Sequence, residues 1–278
     1  MLSRVFLLLA LSGVVACSSA QEMEEAIVPQ AEAQSSSASA SASGTGSSSA
    51  SSSVSSDGGA AFAIATDAYE FEYGWPAEVA AIPALSTKID AMRRAEEKKF
   101  GAMAAEAKTD AAQNDYPFRP YGTSTDWKVA ADLPGYLSLT LDHWVYTGGA
   151  HGNYWRQSKV WDRGAENLLD PKALFVSVAA LNSAVSDRYC AALDAEREKR
   201  RGQPVKKDGT FGACPPMDEI TVIAGSSNGR TFDRLGFYAA PYVAGSYAEG
   251  AYEVTLPVDD AVISAVKPAY RGAFSVPR

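Results

Sequence analysis

Three places in this 278-residue chain carry residue types that can do chemistry. The first is Gly225-Ser226-Ser227-Asn228-Gly229, which fits the pattern G-x-S-x-G. In hydrolases that pattern sets a serine on a sharp turn between a strand and a helix. Here residues 231–238 read as a second strand, and Asn228-Gly229 is a hairpin turn pair. A hairpin is therefore expected, not a nucleophile. The second place holds the only two histidines, His143 and His151. His143 falls on the apolar side of an alternating run and reads as a core residue. His151 lies in a glycine-rich loop beside Tyr146, Gly148, Gly149, Tyr154 and Trp155. Glycine permits a positive φ and a close approach by another molecule, and rings with polar tips suit recognition. The plainer alternative is an imidazole that caps the turn on a backbone carbonyl. The third place, 241–257, gathers tyrosines, including Tyr247, with glycines and Glu249. Glu249 would act with His151 as an acid–base pair if the two met; otherwise the tyrosines bury their rings and bond the backbone. The sequence has no H-x-x-x-H, H-E-x-x-H or C-x-x-C, so no metal, cofactor or catalytic residue is assigned.

The elements that must position these residues follow from periodicity. Residues 137–146 alternate, with Leu137, Leu139, Leu141, His143 and Val145 on one face. The glycine-rich loop 147–153 leads into a second strand ending near Trp161, as in a hairpin. Shorter strands are expected at 62–64, 69–73, 126–132, 219–224 and 252–256. Leu85, Ile89, Met92, Phe100 and Met103 mark a helix over 86–113, after proline has interrupted an earlier turn. Val178, Leu181, Val185, Tyr189 and Leu193 mark another over 177–201. Its end is rich in cations, which suits the dipole, and Gly202 stops it. The class is α+β, a mostly antiparallel sheet on two long helices.

Composition narrows the compartment and the partners. Formal charge is −8, so the chain lacks the basic face that a nucleic acid needs; a strongly basic protein would be drawn to it. Residues 1–16 carry one cation, Arg4, then an apolar run and small residues, the form of a secretory signal. Val14-Val15-Ala16-Cys17 resembles the lipobox of bacterial lipoproteins, which implies cleavage before Cys17 and acylation of its thiol. The alternative is an ordinary signal cut nearby. With Cys17 lipidated, Cys190 and Cys214 remain, and a secreted chain would pair them. Residues 17–60 are dominated by serine and alanine and read as a disordered tether. Ser18 after the lipid cysteine fits the periplasmic face of an outer membrane in a Gram-negative cell.

Two stretches also carry a resemblance. Tyr146-Thr147-Gly148-Gly149-Ala150-His151-Gly152 and Pro241-Tyr242-x-x-Gly245-x-Tyr247-Ala248-Glu249-Gly250 resemble paired signatures of the extracytoplasmic domains of the anti-sigma factor RsiV and the peptidoglycan deacetylase PdaC. The resemblance implies a PdaC-type domain over 61–122 and an RsiV-type domain over 123–278. It also implies an envelope location and, by analogy with RsiV, a lysozyme-like partner. Anti-sigma and deacetylase activities do not carry over, because the segments that perform them are not recognisable here. Three readings result. The first is a non-catalytic module binding a lysozyme-like protein or cell-wall glycan through Tyr146, Gly148, Gly149, His151, Tyr154, Trp155, Tyr247 and Glu249. The second is a wall hydrolase using His151, and the third a purely structural envelope protein.

Overall fold

The computed structural model describes residues 49–54 and 58–277. The secretory signal, Cys17 and most of the expected tether lie outside the described residues. The fold is α+β. Seven strands form one sheet in chain order: β1 (Ser49–Val54), β2 (Ala60–Ala65), β3 (Tyr69–Trp75), β4 (Tyr121–Asp132), β5 (Tyr136–Tyr146), β6 (Asn153–Asp162) and β7 (Asn167–Leu169). Every neighbouring pair is antiparallel except β3 and β4, which are parallel. Parallel neighbours require a long crossover. It is supplied by α1 (Ala77–Ala80) and α2 (Pro83–Gln113). Pro83 opens α2 at its first turn, where its missing N–H costs nothing.

Alternation decides what each sheet face does. In β5, Leu137, Leu139 and Leu141 are no more than 1% exposed and pack with Phe71, Tyr73, Trp127 and Trp161. Leu85, Ile89 and Phe100 of α2 close this core. Each such apolar side chain contributes about 1.5–3 kcal/mol on burial. Trp127 Nε1 donates to the Tyr73 hydroxyl at 2.9 Å, so the polar tips inside this core satisfy each other.

A second core lies C-terminal. Three strands, β8 (Thr221–Gly225), β9 (Arg234–Ala239) and β10 (Tyr252–Pro257), form an antiparallel sheet in the order β10-β9-β8. They pack with α3 (Val178–Arg201) and α4 (Asp260–Ala265), with Ala131 and Val160 of the large sheet and with Leu133 of the β4–β5 turn. The small sheet thus covers part of the large sheet's second face. Ser177 caps α3 through Ala180 N, and Gly202 ends it with φ 66°. Cys190 and Cys214 form a disulfide, with Cα atoms 5.5 Å apart.

Three expectations need correction. The tether was expected to run to residue 60, yet Ser49–Val54 pairs with β2 as an edge strand. Backbone bonding, which composition does not register, governs there. The boundary at 122/123 falls inside β4, which is continuous and pairs on both sides, so the sheet is not divided there. The turn at Asn228-Gly229 is part of a longer loop, 226–233. Its centre is Asp233, 2% exposed, which accepts bonds from the Ser227 backbone N–H and hydroxyl and from the Asn228 amide. Ser227 therefore bonds a structural carboxylate, not an imidazole, and the second strand starts only at Arg234.

The disulfide spans 24 residues of sequence and ties the loop after α3 to its buried stripe. Cross-linking a loop of this length stabilises by about 3 kcal/mol. Urea unfolding of a Cys190→Ser/Cys214→Ser variant is expected to show that loss and to match the reduced wild type. Superimposable curves for variant and oxidised wild type would contradict it.

Candidate functional site

The two motif stretches meet in space. Tyr247 donates its hydroxyl proton to the Gly152 carbonyl at 2.7 Å. Its ring stacks on His151, with centroids 4.0 Å apart, and meets Tyr154 edge-on at 6.0 Å. His151 Nδ1 sits 2.9 Å from the Gly152 carbonyl oxygen. The imidazole is exposed, and both turn-capping and outward presentation hold for it at once. Gly148 has φ +82°, a conformation that disfavours a side chain, and Gly149 has open space where a Cβ would stand.

What holds Tyr247 in place comes from the far side of the motif loop. Arg197, 0% exposed, donates to the Ala244 and Ala213 carbonyls at 2.9 and 3.0 Å. Arg200 donates to the Glu249 and Ala251 carbonyls at 3.1 and 2.7 Å and lies over the Tyr252 ring. Arg201 pairs with the Glu249 carboxylate at 2.8 Å. The cationic end of α3, expected only to complement its dipole, thus clamps the loop. Glu249 completes a capping box with Ser246 and accepts a bond from the Tyr252 hydroxyl. Burial pushes its carboxyl pKa up, but the bonds from Tyr252, Arg201 and Ser246 outweigh that and hold it down at about 2. Glu249 is therefore a brace. Its carboxylate is taken up by Ser246, Tyr252 and Arg201, not by His151, and the acid–base pair considered from sequence does not form.

Trp155 is the second site residue that the structure takes elsewhere. It lies opposite His143 in the register and stacks on it at 5.1 Å. His143 Nδ1 is 3.0 Å from Thr125 Oγ1, which also bonds Glu96 of α2 at 3.0 Å. Trp155 therefore faces α2, while Tyr154 faces the other way, as strand alternation demands. His143 is not the fully satisfied core residue expected: its Nε2 is buried without a hydrogen-bond partner among the described residues. Burial lowers its pKa, opposed by the charge of Asp142, and burial raises that of Glu96, opposed by the Thr125 bond.

The uncovered part of the second sheet face holds what the sequence reading missed. Trp144 lies opposite Ser124 and Tyr154 in the register and is 41% exposed. Its ring runs nearly parallel to that of Tyr146, at 13° and 6.4 Å. A Cβ on Gly152 would come within 2.4 Å of the indole Nε1, so glycine there gives the indole its seat. Beside these rings a trough crosses the strands as two hollows of ≈ 440 and ≈ 350 Å³ that share Ser124 and Asp126. Ala61, Ala63 and Gly74 line one end, and Trp144, Tyr154 and Tyr238 the other. Arg156 joins this face to the small sheet, bonding Asp142 at 2.5 Å and Glu253 at 2.7 Å, with its guanidinium over Tyr238. The signal for Trp144 was in the alternation of 137–146, because a strand with its odd residues buried must present its even ones. Among the described residues, no group of three or more His, Cys, Asp or Glu side chains is placed to hold a metal ion, and no helix is long and apolar enough to cross a membrane.

Comparison with known proteins covers parts of this picture. A family model described as Deacetylase PdaC matches residues 63–154, from β2 to the start of β6. No match is found among curated proteins. A solved DUF3298 family protein from Pseudomonas aeruginosa PAO1 is 16% identical, with 83% of this chain and 96% of that one covered and a TM-score of 0.41. A DUF3298 family member from Bacteroides fragilis NCTC 9343 is also 16% identical, with 77% and 89% covered and a TM-score of 0.42.

The brace has a pH signature. The folded pKa of Glu249 lies below its ordinary 4.5, so its contribution is complete above about pH 4.5 and is lost as pH falls through about 2. Glu249→Gln is expected to cost about 2 kcal/mol near neutrality, the worth of a charge-assisted bond. It should also flatten the acid limb of stability against pH, measured by urea unfolding from pH 6 to pH 2. An unchanged acid limb in the variant would show that the carboxylate is not the brace.

Proposed function

We propose that this chain is a cell-envelope lipoprotein, anchored through Cys17, whose folded part is a non-catalytic binding module for cell-wall glycan or a lysozyme-like protein. The observation that supports this most is the parallel pair of an exposed Trp144 and a half-buried Tyr146 on an open sheet face beside a trough. Rings held flat and solvent-facing by their own backbone are ready for a ligand without further ordering cost. Tyr154, His151 and Tyr247 extend the pair around the hairpin end, with Gly148 and Gly149 shaping the turn. Glu249 and Trp155 leave the list of contact residues, since one braces the loop and the other faces α2.

The motif resemblance supports the lysozyme-like partner, and the PdaC match supports a setting in the wall. The negative charge of the chain favours encounter with a basic protein. No acid–base pair at the hairpin end supports the hydrolase reading.

Binding of the full chain to insoluble peptidoglycan and to lysozyme tests the proposal. Trp144→Ala/Tyr146→Ala is expected to weaken one of the two interactions at least ten-fold, about 1.4 kcal/mol, as for central aromatic anchors. Wild-type binding to neither ligand, or equal binding by the double variant, would reject the reading.

A further inference from the structure

We propose, building on the binding reading above, that the trough takes an amino-sugar glycan whose amines are free and protonated. Recognition would occur between the carboxylates of Glu72 and Asp126 and the rings of Trp144 and Tyr154.

The first argument is shape. The site is a pair of shallow, open hollows that adjoin at Ser124 and Asp126, each within the volume range of small-ligand clefts. It crosses the strands because its floor is cut back. In the register Glu72 pairs with Ser124 and Gly74 with Asp126, so small residues alternate with acids along the bottom. A chain of rings, one to each adjoining hollow, suits this shape better than the broad face of a protein does.

The second argument is charge. Glu72 is exposed and makes no ion pair with any described residue. Asp126 shares Lys128 at 3.2 Å, but Lys128 is also held by Asp142 at 2.9 Å, and Arg156 is held by Asp142 and Glu253. Lys128 and Arg156, the cations that flank the two floor acids, are thus engaged by other carboxylates, and Glu72 is left without a counter-ion among the described residues. A neutral N-acetylated glycan would leave that charge uncompensated. An ammonium on a sugar ring would neutralise it while the apolar ring face lies on an aromatic side chain.

Titration of the full chain, followed by tryptophan fluorescence, separates the alternatives. The probes are a glucosamine hexasaccharide, its fully N-acetylated counterpart and an oligolysine of similar charge. The free-amine glycan is expected to bind at least ten-fold more tightly than the acetylated one and to weaken with added salt. Glu72→Gln and Asp126→Asn, both at exposed positions, should each cost it three- to ten-fold and leave the acetylated glycan unchanged. Equal binding of the two glycans, or no effect of either substitution, overturns the inference. Oligolysine binding as tightly as the amino sugar overturns it too, since charge alone would then suffice. Binding of lysozyme or acetylated wall without amino-sugar binding overturns this inference and leaves the broader proposal standing. Loss of all binding removes both.

Discussion

The period-two alternation of β5 is the constraint from which the rest of the site follows. Its odd residues are committed to the core under α2, where Leu137, Leu139 and Leu141 are sealed from water. Its even residues must then face the other side, and a one-residue slip of register would reverse both faces. The small sheet of β8, β9 and β10 packs over part of that side, around Val160 and Ala131. Asp142, Trp144 and Tyr146 fall on the uncovered part. An exposed indole and a half-buried phenol on that face are thus a consequence of burying three leucines behind them.

A second constraint fixes the hairpin end. Tyr247 is held by a loop with almost no regular structure, and loops of that kind need polar anchors for their backbone groups. Arg197, Arg200 and Arg201 supply them, reaching four backbone carbonyls and one carboxylate from the last turns of α3. A fully buried guanidinium such as Arg197 is tolerable only when its donors are matched, which here they are. The disulfide pins the segment that carries Ala213, one of those acceptors, to the same helix. Helix, disulfide, motif loop and hairpin therefore form one chain of contacts that ends at the His151–Tyr247 stack.

Much of the fold was legible in the sequence because it rests on local signals. The apolar stripe of α3 and its terminal glycine lie within one stretch, as do the leucines of β5. The cysteine pairing followed from counting. What was not legible depends on partners far away along the chain. Glu249 looked available for chemistry because the arginine it braces lies 48 residues earlier. Trp155 looked like a neighbour of His151 because adjacent strand residues are close in sequence yet face opposite sides. Ser49–Val54 carries no hydrophobic period, so its antiparallel pairing with β2 had no local signal in the sequence. Trp144 follows from the alternation of 137–146, although the glycine loop beside it carries the more conspicuous signal.

The central claim is that the open face of the large sheet is the recognising surface. Amide chemical-shift mapping of the full chain during titration with solubilised wall fragments tests it most directly. The largest shifts are expected in 72–74, 122–126 and 142–154, with little change along 178–201. Shifts confined to the outer side of α2 or to α3, with the sheet face silent, would contradict the account.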